Sequence, residues 1–208
     1  MFFTVAAFVM MMFCEIIIPA LLIKVLRLRN EEGMFEMSIR DKAFYKFVLF
    51  NVLYQAPLKP IGPFRFMVMR RLIYKLSGIK LAKTCILSGT EVIYDPSVTE
   101  IGEDTFIGGH AKIYGHMFED KFLIRKVRIG NRCLIGAESS IIPGAVIEDD
   151  ETLGLRSLVV KNQVLKKGRT YGGVPAKKIK KRHIPDIQTS VATSEAVSTA
   201  GLVEKATP

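Results

Sequence analysis

An aliphatic side chain returns every sixth position over most of the chain after residue 80. The residues at these positions are Leu81, Leu87, Ile93, Ile101, Ile107, Ile113, Ile129, Ile135, Ile141, Ile147, Leu153, Val159 and Leu165. A small residue tends to stand two positions before each of them, and glycine often follows directly. A period of six matches neither the helix nor the extended strand. The pattern therefore predicts one short strand and one corner in every six residues.

Three such hexads close a triangular coil of 18 residues, with the aliphatic side chain inside and glycine where a side chain would hinder the corner. The inner face of each coil is buried only by stacking on its neighbours, as in other solenoids. The hexads at 81–93, 101–113 and 129–159 predict about four coils. A β-sandwich is the weaker alternative, because its strands recur every 8–12 residues with simple alternation.

The repeat is interrupted twice. Two extra residues separate Ile93 from Ile101, and a gap of sixteen separates Ile113 from Ile129. The longer interruption contains "IYGHMFEDKFLIRKVRIG" and predicts a loop over residues 116–127, which begins at His116. Because a flat wall offers no pocket, we expect this loop to cover a neighbouring subunit and to enclose a site.

The first thirty residues have the composition of a membrane anchor. Residues 2–23 contain one charged residue, Glu15, and a helix of that length crosses a hydrocarbon core of about 30 Å. A cleaved signal sequence is the alternative, although no basic leader precedes the apolar stretch. Lys24, Arg27 and Arg29 follow the span and favour the cytoplasmic side for the rest of the chain. We expect Glu15 to be protonated or paired with another helix.

Residues 31–80 mix large apolar residues with bases. Pro57, Pro60 and Pro63 divide the part after residue 41 into two short helices. Each is too short or too basic to span a bilayer, so we predict a pair of amphipathic helices that lie at the membrane interface. A re-entrant segment at 43–54 is the alternative.

Cysteine and charge patterns exclude some classes of protein. Cys14, Cys85 and Cys133 form no paired motif, which argues against a disulfide framework or a zinc knuckle and for a reducing compartment. The net charge is +10, and residues 166–182 hold eight bases and no acid. No nucleic-acid-binding motif accompanies them, so we expect an anion or a membrane surface as their partner rather than nucleic acid. Residues 183–208 are rich in Ser, Thr and Ala and predict a disordered tail.

Three stretches carry a family resemblance. The hexads from Ile101 to Val160 resemble the left-handed parallel β-helix of hexapeptide-repeat acyltransferases, and "YGGVPAKKIKKR" resembles the tail of the galactoside, maltose and polysaccharide O-acetyltransferases. "RRLIYKLSGIKLAKTCILSGTEVI" is similar to the entry of membrane-linked relatives, including β-helix domains that end some peptide-synthetase-like proteins. The resemblance covers about residues 70–182. It implies a mainly β, homotrimeric domain at 81–182 that moves an acyl group from acetyl-CoA, or another acyl thioester, to a hydroxyl or amine.

The resemblance also implies a catalytic base. Imidazole suits proton removal from an acceptor near neutral pH, and Tyr114-Gly115-His116 matches the histidine that opens a similar loop in the family. We expect Glu119 or Asp120 to orient this imidazole by accepting its second N–H. Where the polysaccharide branch carries an Asn one coil earlier, this chain has Glu91 and Asp95, so the acceptor is expected to be held differently. The residues expected to contact the acceptor are Glu91, His110 and Tyr114.

Coenzyme A in the family lies along a prism edge between two subunits, with its phosphates near the basic tail. The matching positions in this chain are Ala137, Leu155, Val160, Lys161, Lys177 and Lys180. The tail supplies the positive charge that a polyphosphate needs. Alternatively, the same bases hold the domain to anionic lipid.

Two other functions stay open on the sequence. One is a scaffold or terminal assembly module that binds lipid without catalysis, because the fold does not fix the function. The other is a zinc-dependent carbonic-anhydrase-like hydratase, which needs three histidine ligands. His110 and His116 are spaced by six, whereas that family spaces its pair by five, so we expect no metal.

Overall fold

A computed structural model describes residues 2–61 and 67–179. Within these residues the helices are α1 (Phe2–Val25), α2 (Lys42–Gln55), α3 (Leu58–Ile61) and α4 (Met67–Leu76). The strands are β1 (Gly33–Phe35), β2 (Lys80–Leu81), β3 (Ile86–Leu87), β4 (Val92–Ile93), β5 (Thr99–Ile101), β6 (Phe106–Ile107), β7 (Lys112–Ile113), β8 (His116–Phe118), β9 (Phe122–Ile124), β10 (Val127–Ile129), β11 (Leu134–Ile135), β12 (Ser140–Ile141), β13 (Val146–Ile147), β14 (Thr152–Leu153), β15 (Leu158–Val159), β16 (Val164–Leu165), β17 (Thr170–Gly172) and β18 (Lys177–Ile179).

The predicted coils are present, and successive coils pair in parallel to form a three-sided prism. The first face is the sheet β16-β13-β10-β5-β2, the second is β18-β17-β14-β11-β6-β3, and the third is β15-β12-β7-β4. Four coils are complete, and β16 and β17 begin a fifth. Strand β18 turns back antiparallel to β17 at the end of the prism.

The hexad positions form the interior, as the period predicted. The aliphatic residues from Ile93 to Leu165 are at most 3% exposed. The small residues two positions earlier are buried beside them; these are Thr99, Thr105, Ala111, Cys133, Ser139, Ala145 and Ser157. Burial of each aliphatic side chain contributes about 1.5–3 kcal/mol relative to exposure.

Glycine at the corner after the second face lets successive coils approach closely. A Cβ on Gly136 would lie 2.5 Å from the carbonyl carbon of Gly154 and 2.6 Å from the amide nitrogen of Leu155. At Gly154, one coil further, the nearest atom to such a Cβ is the Tyr171 oxygen at 3.4 Å. The two glycines share one corner but differ in the space that surrounds them.

The linker helices close the first coil instead of lying apart from it. The Tyr54 hydroxyl of α2 donates to the Ile93 carbonyl at 2.5 Å, and the Arg70 guanidinium of α4 donates to the Glu91 carbonyl at 2.7 Å. The Arg71 guanidinium donates to the Cys85 carbonyl at 2.8 Å. These donors satisfy carbonyls at the end of the prism, where no preceding coil pairs with them. The sequence analysis predicted two helices in residues 31–80 and treated this linker as separate from the prism. Within the described residues the structure has three helices there, α2, α3 and α4, and α2 and α4 contact the first coil.

Helix α1 contacts α2 and α4. Its Ile16 and Ile23 are buried in the core that these helices share with the prism, while most of its other described apolar side chains are exposed. Among the described residues it is the one helix long and apolar enough to cross a membrane, over Ala6–Val25 with a mean hydropathy of 2.4. That test rests on length and composition alone, so anchoring stays a prediction. The Glu15 Oε2 atom is buried and has no hydrogen-bond partner within residues 2–61 and 67–179.

The corner glycines give a matched stability test. We expect Gly136→Ala to lower the free energy of unfolding by about 1–3 kcal/mol, because two coils have to separate to admit the methyl group. Gly154→Ala, where that methyl group meets ordinary contacts, is the control and is expected to change it by less than about 0.5 kcal/mol. Chemical unfolding followed by circular dichroism measures both, and equal effects would contradict the role assigned to the Gly136 corner.

Candidate active site

The two interruptions of the hexad period lie one above the other. Strand β4 pairs with β7 so that Ile93 stands opposite Ile113. Each chain segment therefore leaves the third face at the same corner, where the Tyr94 and Tyr114 rings stack with centroids 4.5 Å apart and an interplanar angle of 10°. The first interruption continues into a 3₁₀ turn at Pro96–Val98, and the second enters β8. We call this corner, with residues 94–98 and 114–126, the His116 corner.

A histidine–aspartate pair stands at this corner. The Nδ1 atom of His116 lies 2.6 Å from Oδ2 of Asp95. The same carboxylate oxygen accepts the Gly115 backbone N–H at 2.9 Å. Asp95 is fully buried, and the His116 side chain is 15% exposed. A buried carboxylate is stable only when its oxygens accept hydrogen bonds, and these two donors supply part of that requirement.

Asn30 supplies a further donor from a distant part of the chain. Its Nδ2 donates to Oδ1 of Asp95 at 2.9 Å, and its backbone N–H donates to the Ser97 hydroxyl at 3.1 Å. The segment that follows α1 thus docks on the His116 corner and fixes both oxygens of the carboxylate. Asn30, Asp95 and His116 form a continuous hydrogen-bonded series.

Gly115 permits the close approach of these residues. A Cβ at this position would lie 2.7 Å from the Asp95 Cβ and would also overlap the Val98 side chain. Glycine is therefore required between Tyr114 and His116 for a steric reason, since its backbone contacts the aspartate directly.

The predicted loop 116–127 is a hairpin that packs on its own chain. Strands β8 and β9 pair antiparallel with His116 opposite Ile124, and β1 from the N-terminal segment extends this sheet beyond β9. The Phe47 ring of α2 contacts the imidazole edge-on at 4.7 Å, and Phe122 packs on Phe47 at 4.4 Å. Within this chain Phe122 is buried against α2, whereas Phe118 is 54% exposed. The hairpin therefore packs partly on its own chain, and its contact with a neighbouring subunit stays a prediction.

The geometry suits the imidazole for proton transfer. When Nδ1–H donates to the Asp95 carboxylate, the neutral ring carries its lone pair on Nε2. Nε2 has no hydrogen-bond partner in the part of the chain that the structure describes. The aspartate stabilises the imidazolium that forms when Nε2 takes a proton. Such a pair is able to act as a general base towards a hydroxyl or an amine.

Glu119 does not orient the imidazole. Its carboxylate accepts from the Lys161 ammonium at 2.5 and 2.7 Å, across two coils. The hairpin turn at Glu119–Lys121 carries this carboxylate to the fourth coil, and Asp120 is exposed in that turn. The position that Glu119 or Asp120 was expected to fill is occupied by Asp95.

The three residues expected to contact the acceptor lie at three different places in the structure, and only Tyr114 is at the His116 corner. Glu91 is fully buried, where its Oε2 accepts the Gly89 N–H at 2.7 Å, so its predicted contact with an acceptor is wrong. Tyr114 lies at the His116 corner, where burial, followed by the neighbouring Tyr94, raises its pKa to about 12. His110 is exposed at the corner after the second face, with a backbone φ of 57°.

The predicted coenzyme A residues are divided between two corners. Ala137 and Leu155 stack at the corner after the second face, whereas Val160 and Lys161 lie below the His116 hairpin. The Val160 N–H already donates to the Gln163 side chain at 2.9 Å. Lys177 is exposed on β18, and Lys180 lies outside the described residues. The third face separates the two groups within one chain.

A groove of about 750 Å³ lies along the first face, away from the His116 corner. Its charged residues pair with one another or with adjacent residues; Glu100, for example, lies 2.8 Å from the Lys80 ammonium and 3.4 Å from Nε of Arg128. Its net charge is thereby largely neutralised. Within residues 2–61 and 67–179, no group of three His, Cys, Asp or Glu side chains is placed to hold a metal ion.

Comparisons with known proteins agree with this architecture. The family model described as the hexapeptide repeat of succinyl-transferase matches residues 126–156. The crystal structure of a maltose O-acetyltransferase from Clostridium difficile 630 superimposes with a TM-score of 0.53 at 15% identity, over 74% of this chain and 95% of that one. The resemblance to hexapeptide-repeat acyltransferases is confirmed. The match supports the predicted left-handed parallel β-helix.

Two curated relatives are similar over part of their length. Delta-poly-L-ornithine synthetase of Acinetobacter baumannii (strain AB307-0294) is 24% identical over 174 residues, which are 83% of this chain and 13% of the relative. Chloramphenicol acetyltransferase of Morganella morganii is 50% identical over 54 residues, 26% of this chain and 25% of the relative. The chain therefore spans about an eighth of the first relative, and its match to the second covers a quarter of that protein.

Sequence reasoning missed Asn30 and the role of Asp95. A signal for Asp95 existed, because a parallel register that places Ile93 on Ile113 also places residue 95 beside residue 115. No comparable signal existed for Asn30, which is 65 positions from Asp95 and outside the repeat.

The Asn30–Asp95 contact is testable by a double-mutant cycle. We expect Asn30→Ala and Asp95→Ala each to destabilise the fold, because each leaves buried polar partners unsatisfied. The double variant is expected to lose less than the sum, with a coupling of about 1–2 kcal/mol in the free energy of unfolding. Thr84→Ala, which removes the acceptor of the Asp104 N–H at another corner, is the control partner for Asp95→Ala. If the changes in the free energy of unfolding caused by Asn30→Ala and Asp95→Ala were additive, a direct contact between the two residues would be contradicted.

Proposed function

We propose that the protein is a coenzyme A-dependent acyltransferase in which His116 is the general base and Asp95 holds its imidazole. The observation that carries the proposal is the 2.6 Å contact between His116 Nδ1 and the buried Asp95 carboxylate. It is supported by the matches to the succinyl-transferase hexapeptide repeat and to a chloramphenicol acetyltransferase. The acceptor is a hydroxyl or an amine.

The proposed reaction needs one base and no metal. Nε2 of His116 takes the acceptor proton while the acceptor oxygen or nitrogen attacks the thioester carbonyl carbon. The tetrahedral intermediate then collapses, the C–S bond breaks, and the proton passes from Nε2 to the coenzyme A sulfur. General base catalysis of this kind contributes about 10²–10⁴-fold to a rate.

We infer that coenzyme A binds between copies of the chain. Ala137 and Leu155 stand at one corner and His116 at the next, with the third face between them. A second copy that presents its Ala137 corner to the His116 corner brings both groups to one thioester. This arrangement accounts for the expected homotrimer, because the contact joins two different corners of neighbouring copies, and repetition of such a contact closes a ring.

We also propose that α1 anchors the domain to a membrane. Its candidate span, Ala6–Val25, ends five residues before Asn30. The membrane would then lie beside the segment that positions Asp95, and the acceptor would be a membrane-proximal molecule. The alternative of a cleaved signal sequence predicts a mature chain without this helix, which mass spectrometry of the purified protein detects.

Acyl transfer tests the assignment of the base. We expect His116→Ala to lower kcat with acetyl-CoA by about 10²–10⁴-fold. Asp95→Asn is expected to lower kcat by at least about tenfold, because the ring loses its preferred tautomer. The Kd for coenzyme A is expected to stay within about twofold, since neither residue is assigned to binding. Hydrolysis of acetyl-CoA by the full chain in detergent provides the assay when the acceptor is unidentified.

Asp104→Asn is the matched control, because Asp104 is exposed at another corner with a backbone φ of 53° that asparagine also adopts. Full activity of His116→Ala would contradict the proposed base. If coenzyme A failed to bind at millimolar concentration, the acyltransferase proposal would fail, and a lipid-binding scaffold would replace it.

The basic end of the prism gives a separate test of coenzyme A binding. Lys177 and Lys178 are neighbours on β18, so their side chains leave opposite faces of the strand. We expect Lys177→Ala to raise the Kd for coenzyme A about threefold to tenfold, with a smaller effect at high salt. Lys178→Ala, which removes the same charge, is expected to change it less than about twofold. Equal effects would indicate general attraction by the tail and no defined phosphate contact.

A further inference from the structure

A second cavity lies beside the Asn30 segment. It has a volume of about 250 Å³ and is formed between the segment after α1, strand β1 and the first turn of α2. Arg29, Lys42 and Lys46 contribute three cations to its lining, and Glu31 contributes the one acid. Ile124 forms part of its wall and stands opposite His116 in the hairpin. The cavity is therefore one strand away from the candidate base.

The cations of this cavity lack acidic partners. None of Arg29, Lys42 and Lys46 forms a salt bridge within residues 2–61 and 67–179. In contrast, Lys80, Arg128 and Lys167 of the larger groove are all paired with acids. Three cations without acidic partners around a small, half-open pocket favour an anion. Phosphate oxygens are suitable acceptors for both guanidinium and ammonium groups.

A buried polar atom also points to a ligand. Asn30 lines the cavity and is 7% exposed. Its amide nitrogen is used by Asp95, but its Oδ1 atom is buried and accepts no hydrogen bond in the described part of the chain. Such an acceptor is costly to leave unpaired. A ligand that carries a hydroxyl donor next to its anionic group satisfies both the cations and this oxygen.

The position of the cavity identifies the source of that anion. The candidate span ends at Val25, and Arg29 follows four residues later. With α1 as the proposed anchor, side chains this close to its end lie at the depth of the lipid headgroups, where anionic lipids attract bases. The exposed side chains near the end of α1, such as Leu21, Leu22 and Val25, are apolar and suited to contact acyl chains.

We propose that this cavity binds the headgroup of an anionic glycerophospholipid. The phosphate lies among Arg29, Lys42 and Lys46, and a headgroup hydroxyl donates to Oδ1 of Asn30. The site rests on the proposed membrane anchor, and it does not depend on the proposed acyl transfer. Since Asn30 also holds Asp95, the bound lipid stabilises the segment that completes the His116 corner.

Thermal unfolding of the full chain in a neutral detergent tests the site. We expect short-chain phosphatidylglycerol to raise the Tm of the wild-type protein by several degrees, because it binds the folded state alone. Lys42→Gln with Lys46→Gln is expected to raise the Kd for this lipid at least about tenfold. Lys59→Gln with Lys75→Gln removes two exposed helix bases outside the cavity and is expected to retain wild-type affinity. Phosphatidylcholine and inorganic phosphate are the ligand controls.

Each outcome decides the proposal. Absence of a Tm shift with phosphatidylglycerol, or an equal loss of affinity in both double variants, overturns the cavity site. An equal shift with inorganic phosphate alone overturns the lipid as its ligand and assigns the site to a free phosphate group. If the Lys42/Lys46 double variant fails to fold, Lys46→Gln is compared with Lys75→Gln in the same titration. None of these measurements requires acyl transfer, so they also hold if that function is disproved.

Discussion

Parallel hydrogen bonding between successive coils decides which residues of this chain lie above one another. The register places Ile93 on Ile113 and Ile113 on Ile141, and the buried hexad side chains keep it from slipping, since a shift by one residue would turn them outward. The same register aligns the two interruptions of the repeat. A two-residue excess in one coil and a long insertion in the next therefore meet at one corner, and Asp95 is brought to His116.

The corner depends on the N-terminal third of the chain as much as on the prism. Helix α2 supplies the aromatic ring that packs on the imidazole, strand β1 extends the hairpin sheet, and Asn30 holds the carboxylate. The same helices supply donors to the carbonyls of the first coil. The segments expected to serve the membrane thus also complete the prism and the candidate site. Anchoring and assembly of the site are consequently proposed to be linked.

The fold was predictable because the six-residue period leaves few alternatives, and all the hexad positions from Ile93 to Leu165 proved buried. His116 was predictable as the residue at the start of the insertion. The residue that orients His116 was not predictable in the same way. Proximity in sequence favoured Glu119, whereas the parallel register of β4 and β7 brings Asp95 to the imidazole. Glu91 was expected to contact the acceptor because it stands where the polysaccharide branch carries an Asn, yet its carboxylate is buried and accepts the Gly89 N–H. Asn30 depends on a tertiary contact that no local pattern records.

The central claim is that Asp95 holds His116 as the Nδ1–H tautomer. Nitrogen-15 NMR of the full chain in detergent, with labelled histidine, measures this directly because the sequence contains three histidines. The account predicts a protonated Nδ1 and an unprotonated Nε2 for the neutral ring of His116, and loss of this preference in Asp95→Asn. A neutral ring protonated on Nε2, or a tautomer unchanged by Asp95→Asn, would contradict it.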